Sequence, residues 1–209
     1  MALDEIRNRY SVLAGDDCCL SCGGAFEKSD AKIGEVCIDL GSGRGNDVLR
    51  LAELTGPGGF VYGIDTTPEM IDKGRSTARK LAVENVEFIL SGLEEIPLAD
   101  ETADLIISNC TINHAEKKDK VWNEIYRLLK PGGRFVVSDI YSAESVPDHY
   151  SSDPVAVAEC WGGAVTRDEY LSTITEAGFG KVHISEETRP YDKGKIKVCS
   201  FTISGIKEK

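Results

Sequence analysis

Five short apolar, β-rich runs separated by segments of helical spacing constrain this chain more than any other feature. The runs are "EVCIDL" (35–40), "FVYGID" (60–65), "VEFIL" (86–90), "DLIIS" (104–108) and "RFVVSD" (134–139). Between them, "NDVLRLAEL", "PEMIDKGRSTARKLA" and "KKDKVWNEIYRLLK" repeat apolar residues at helical intervals. Strands that alternate with helices build βαβ units, and strands this apolar throughout must be covered on both faces. The spacing therefore predicts an α/β fold around a largely parallel sheet. Pro68 suits the first turn of the second helix, and "KPGG" is expected to end the third. Thr166 and Glu169 have capping-box spacing at the head of "TRDEYLSTITEAGF". Two last runs, "KVHISEE" and "KVCSFTISGI", flank "TRPYDKGK" and read as a hairpin.

A chain of 209 residues with 41% hydrophobic content supports one core, so residues 1–209 are expected to form one domain. Its weakly patterned parts are a cysteine-containing N-terminal extension (1–32) and an insertion at 140–165. With 24 Lys and Arg against 35 Asp and Glu, the formal charge of −11 opposes binding to nucleic acid or to an anionic membrane. The start, "MALDEIRNRY", lacks the apolar core of a signal peptide, and no stretch of about 18 apolar residues follows. A cytoplasmic protein is expected. Its seven cysteines, an odd number, should then be thiols used for packing, metal binding or chemistry.

"DLGSGRG" follows the first strand run and opens a helix, where Gly41, Gly43 and Gly45 allow a tight turn and close approach to a ligand. A dinucleotide loop would have a further glycine where this chain has Asn46, and Asp39 adds an acid ahead of the first glycine, giving D-x-G-x-G-x-G. Asp65 ends the second run about 20 residues on, where a carboxylate can accept from both ribose hydroxyls.

Over residues 33–207 this pattern resembles the class I S-adenosylmethionine-dependent methyltransferases. The resemblance implies a Rossmann-like, doubly wound, seven-stranded sheet whose final strand is antiparallel. It also implies that Asp39, Gly41, Gly43 and Gly45 hold the methionine part of S-adenosylmethionine and Asp65 its ribose. Gly92 and Leu93 of "SGLEEIPL" would flank the adenine, Thr66 and Met70 stand where they can flank adenine or ribose, and Asn109 falls near the methyl group.

"ISNCTINH" (107–114) puts a thiol, Cys110, directly after Asn109. "AECWGGAVTRDEY" supplies Cys160, and "CCLSCGG" supplies Cys18, Cys19 and Cys22. This combination is similar to the arsenite methyltransferases, which carry "SNCVIN", "GECxGGAL" and an N-terminal cysteine. That likeness implies that Cys22, Cys110 and Cys160 are catalytic and hold trivalent arsenic as substrate, with a thiol reductant as partner. Cys18 or Cys19 can substitute for Cys22, because the family has a longer segment before the first strand, whereas here Cys22 is only fifteen residues from Cys37. Soft thiolates suit a soft acceptor, and methyl transfer to an arsenic lone pair needs orientation rather than a general base. His114, His149 and His183 read as surface or structural residues, Cys37 and Cys199 as packing, and Asp153 and Glu159 as loop solvation. Two other readings stay open: a methyltransferase of a small carbon, oxygen or nitrogen acceptor, and a thiolate metal-binding or sensing protein using "CCLSC".

Overall fold

The computed structural model describes residues 2–15 and 23–208. The expected alternation is present: β1 (Val36–Leu40), α2 (Asn46–Thr55), β2 (Phe60–Asp65), α3 (Pro68–Lys80), β3 (Val86–Leu90), β4 (Ala103–Asn109), α4 (Lys118–Leu128) and β5 (Leu129–Ser142). The capping-box helix follows as α7 (Arg167–Glu176), with Thr166 and Glu169 each bonded to the other's backbone N–H. The chain ends in β6 (Val182–Glu187), β7 (Tyr191–Lys193) and β8 (Ile196–Ile206).

These strands form one sheet in the order β3-β2-β1-β4-β5-β8-β6, with β7 also paired to β8. Pairings from β3 to β5 are parallel, and β8 is antiparallel to β5, β6 and β7. The fold is therefore the mostly parallel Rossmann-like sheet with antiparallel C-terminal strands. The strand beyond the expected seven is β7, which lies inside the segment read as a linker. Only Gly194 and Lys195 separate Lys193 from its partner Ile196, and Gly194 takes the positive φ of 61° that this turn requires.

Apolar residues alternate between the faces, as a two-residue side-chain period demands. Cys37, Leu105, Ile107 and Val136 pack with Val48, Leu51 and Ile71 of α2 and α3. Ile38, Ile106, Phe135 and Val137 pack with Trp122, Ile125, Tyr170 and Ile174 of α4 and α7. Trp122 meets Phe135, Tyr170 and Phe179 edge-on, with ring centroids 5.0, 5.9 and 6.3 Å apart. Cys37 and Cys199 are buried, as packing residues should be, and burial pushes the Cys37 thiol up to about 12.

Three local expectations change. "KPGG" does not end α4: the helix stops at Leu128 and this stretch already runs extended in β5. The start of the chain is a regular helix, α1 (Ala2–Leu13), packed on α6 (Pro154–Ala158). The insertion holds α5 (Asp148–Ser151) and α6, whose N-cap is Asp153, accepting from Val155 N–H at 3.0 Å. Among the described residues, no helix is long and apolar enough to cross a membrane.

Gly45 shows how the turn into α2 depends on the packing beneath it. Its φ is 81°, and a Cβ there would meet the Phe88 ring at 2.5 Å. Gly45→Ala should therefore combine a disfavoured backbone with overpacking and destabilise the chain by about 2–4 kcal/mol, measured as a drop in the urea midpoint without a change in slope.

Candidate functional site

Sheet topology decides where a site can form. β1 lies between β2 and β4, and the crossovers leave in opposite directions, so a crevice opens at the carboxyl ends of these strands. The glycine-rich turn fills one side of it. Gly41 and Ser42 donate their N–H groups to Ile64 O at 2.8 and 2.9 Å, binding the turn to β2. Gly41, Gly43 and Gly45 all have positive φ, at 72°, 51° and 81°. A side chain on Gly41 would collide with Thr111, whereas at Gly43 a Cβ would find only Met70 Sδ, at 4.0 Å. Gly43 thus leaves open a space that any side chain would begin to fill.

Asp65 organises this turn. One carboxylate oxygen accepts from Gly43 N–H at 2.9 Å and the other from Thr67 N–H at 2.8 Å. Burial raises its pKa, opposed by these N–H groups, and each oxygen keeps a second lone pair. Asp39 is buried beneath the turn, its pKa raised well above the carboxylate range by burial and then by the charges of Asp47 and Asp65.

The opposite wall carries thiols. Cys110 follows the end of β4 and Cys160 follows α6, fifty residues later, and the Cys160 Sγ lies 3.5 Å from the Cys110 carbonyl oxygen. Among the described residues five non-glycine residues have positive φ, and these cysteines are two of them, at 52° and 70°. Such backbones cost free energy and persist where surrounding structure imposes them. Here Cys110 N–H donates to Ser138 O at 2.8 Å and Cys160 N–H to Val157 O at 2.9 Å.

His114 sits on Cys160, with Nε2 3.1 Å from Sγ and 3.1 Å from the Tyr10 hydroxyl. Its Nδ1 is 2.9 Å from Val157 O. A carbonyl only accepts, so Nδ1 carries the proton and Nε2 offers a lone pair to the thiol and the phenol. Burial holds the imidazole pKa down at about 4 and pushes the Tyr10 phenol up, so both are neutral at physiological pH. Tyr10 belongs to α1, which is anchored by Arg7 Nε on Thr66 O at 3.0 Å and helps to enclose a cleft of about 330 Å³.

Gly41, Gly43, Asp65, Thr66, Met70, Gly92, Leu93, Asn109, Cys110 and Cys160 all line this cleft. Asp39 and Gly45 support it from below, Asp39 buried and Gly45 against Phe88. Cys18, Cys19 and Cys22 lie outside the described residues. Gly23, next after Cys22, packs against Asn109 and Ser138. Sequence reasoning missed Tyr10 and His114. The repeat Leu3, Ile6, Tyr10, Leu13 was the available signal for α1, and the four-residue step from Cys110 was the one for His114. Glu159 is more than a solvated loop residue, since it accepts from Trp161 Nε1 at 2.9 Å and pairs with Arg9 at 3.5 Å.

The family described as "Methyltransferase domain" matches residues 31–178, well over half the chain. The chain belongs to the methyltransferase domain family. The chain is 42% identical over 175 residues to the arsenite methyltransferase of Halobacterium salinarum, covering 84% of the chain and 45% of that relative. It is 34% identical over 151 residues to the human arsenite methyltransferase, covering 68% of the chain and 40% of that relative. The chain thus spans less than half the length of these curated relatives. Among solved structures, it is similar to an arsenic(III) S-adenosylmethionine methyltransferase from Chlamydomonas reinhardtii, at TM-score 0.75 and 29% identity, over 96% of this chain and 73% of that one. A SAM-dependent methyltransferase from Aquifex aeolicus, at TM-score 0.68 and 23% identity, covers 96% of this chain and 98% of its own and shares the fold.

The tautomer and pKa of His114 can be read directly. Nitrogen NMR should show a neutral ring protonated at Nδ1 from pH 8 down to about 5. Because the unfolded chain takes up this proton near the ordinary value of 6.5 and the folded chain only near 4, the group's contribution to stability should fall as pH drops through that interval. A ring that titrates at its ordinary value would remove the buried acceptor.

Proposed function

We propose that this methyltransferase moves a methyl group from S-adenosylmethionine to trivalent arsenic held by cysteine thiolates. The observation that carries the reading is the meeting of Cys110 and Cys160, both in left-handed backbone, in the same cleft as the glycine-rich turn and Asp65. The similarity to arsenite methyltransferases supports it.

The open space over Gly43 and the remaining lone pairs of Asp65 fit S-adenosylmethionine, and a cleft of about 330 Å³ suits a small ligand. Asp39, Gly41, Gly43 and Gly45 would form or support the methionine side, and Asp65 would hold the ribose. Thr66, Met70, Gly92 and Leu93 would flank ribose and adenine, with Asn109 near the reactive end. Bound there, S-adenosylmethionine supplies an electrophilic methyl group on a sulfonium.

The protein's own residues handle the acceptor. When a thiol replaces a hydroxyl on arsenic, its proton leaves with that hydroxyl as water, and His114 Nε2, 3.1 Å from Cys160 Sγ, orients that thiol toward the cleft. Cys110 and Cys160 hold arsenic on the acceptor side with its lone pair uncommitted, and Cys22 is the proposed third thiolate. α1 limits water in the cleft. Catalysis then rests on orientation. A thiol reductant is the expected partner that keeps these cysteines reduced, as in the cytoplasm, and residues 1–209 work as one unit, with 1–32 as a cysteine-containing extension and 140–165 as the substrate-side insertion.

Cofactor choice is tested by thermal shift: S-adenosylmethionine and its demethylated product should raise the melting temperature and NAD should not, whereas equal stabilisation by NAD would sink the cofactor assignment. Cys110→Ser and Cys160→Ser keep volume but replace a soft thiolate with a hard hydroxyl. Each should bind S-adenosylmethionine like the wild type in calorimetry, yet lose arsenite methylation by about 100-fold, about 2.7 kcal/mol of transition-state stabilisation. Full arsenite methylation by the folded double mutant would return both thiols to packing.

A further inference from the structure

Asn109 ends β4 one residue before Cys110, and both ends of its carboxamide are engaged. Its Nδ2 donates to Asp47 Oδ2 at 3.0 Å and its Oδ1 accepts from Ala25 N–H at 3.2 Å. The other oxygen of Asp47 accepts from Arg50 Nη1 at 3.1 Å, and Arg50 Nη2 donates to Glu27 Oε1 at 3.0 Å. The guanidinium also lies 3.6 Å over the Phe26 ring. Chain connectivity from Glu27 back to Ala25 closes a ring of contacts through the end of β4, the first turns of α2 and the ribbon 25–27.

The ring joins two halves of the cleft. Asp47 stands two residues after Gly45, so it moves with the glycine-rich turn, and Asn109 is covalently joined to Cys110. Asp47 is buried, and burial raises its pKa against the opposing pull of Arg50 and Asn109. A buried carboxyl needs such partners, and a carboxamide gripped at both ends cannot rotate.

We infer that Asn109 is a positioning residue that, through the Asp47–Arg50 ring, sets the distance between the glycine-rich turn and the Cys110 thiol. The assignment deepens the proposed function and rests on it for its catalytic consequence. Its side chain serves the ribbon and α2, while only its place in the chain brings it to the reacting groups.

The test uses the purified full chain. Asn109→Asp keeps the acceptor for Ala25 N–H but sets a carboxylate against Asp47; adding Asp47→Asn restores a donor–acceptor pair with the roles exchanged. Asn109→Asp should lower kcat for arsenite methylation about 100-fold, as small misplacements do, with S-adenosylmethionine affinity held within about twofold, and the exchanged pair should recover most of the loss. Arg50→Ala, at the half-exposed far side of the ring, should shift kcat the same way by a smaller factor of about ten and serves if Asn109→Asp does not fold. Iodoacetamide labelling of Cys110 needs no acceptor substrate; its rate should change in Asn109→Asp and return in the exchanged pair. Should wild-type protein fail to methylate arsenite, the proposed function falls and the labelling still judges the ring. Wild-type turnover and Cys110 labelling in folded Asn109→Asp and Arg50→Ala would overturn the inference. So would a loss of S-adenosylmethionine affinity in step with kcat, which would make Asn109 a cofactor contact.

Discussion

A parallel strand can reach its neighbour only by crossing the sheet, and reversing the crossover direction at β1 leaves a crevice that the sheet itself cannot fill. Every functional feature of this chain depends on that gap. β1 delivers the glycine-rich turn to it, β2 delivers Asp65, and β4 delivers Asn109 and Cys110. Register makes the arrangement specific: Asp39 lies level with Gly63 and Ile107, so Asp65 and Asn109 each emerge two residues beyond the level of the acid in β1. One residue of slip would turn the apolar set of a strand to the opposite face and withdraw these groups together.

Acids crowd the glycine-rich side. Asp39, Asp47 and Asp65 are all raised by burial, and each would be costly without its surroundings. Asp65 is offset by two backbone N–H groups, Asp47 by Arg50 and Asn109, while Asp39 receives the like charge of both. A cationic ligand in the cleft favours the ionised forms of all three, so a sulfonium and this acidic cluster are electrostatically matched.

The thiol side is organised by backbone and by one imidazole. Cys110 and Cys160 are held in a conformation that L-residues seldom take, Cys110 by a backbone hydrogen bond to β5 and Cys160 by one to Val157 in the last turn of α6. His114 has one lone pair at Nε2 and two donors within 3.1 Å, the Cys160 thiol and the Tyr10 phenol. The same atom therefore ties the acceptor wall to α1, the helix that covers the cleft.

Patterns short in sequence were legible. The period-two and period-3.6 apolar repeats determined the βα order, the capping box at Thr166 determined the start of α7, and D-x-G-x-G-x-G with Asp65 located one half of the cleft, because each depends on neighbours a few residues away. β7 was hidden because its pairing comes from β8 and a two-residue turn rather than from its own polar composition. α1 was hidden because its charged residues mask a narrow apolar stripe that only α6 and the cleft make useful. Cys110 and Cys160 could be singled out as thiols, but their proximity is decided by the packing of α6 against residues 112–114, just beyond β4. The tautomer of His114 and the engagement of Asn109 came only from the tertiary structure, since Val157, Ala25 and Asp47 are 43, 84 and 62 residues away from the groups they bind. Hydrogen bonds at such separations leave no local spacing to read; they exist only once the sheet has brought the segments together.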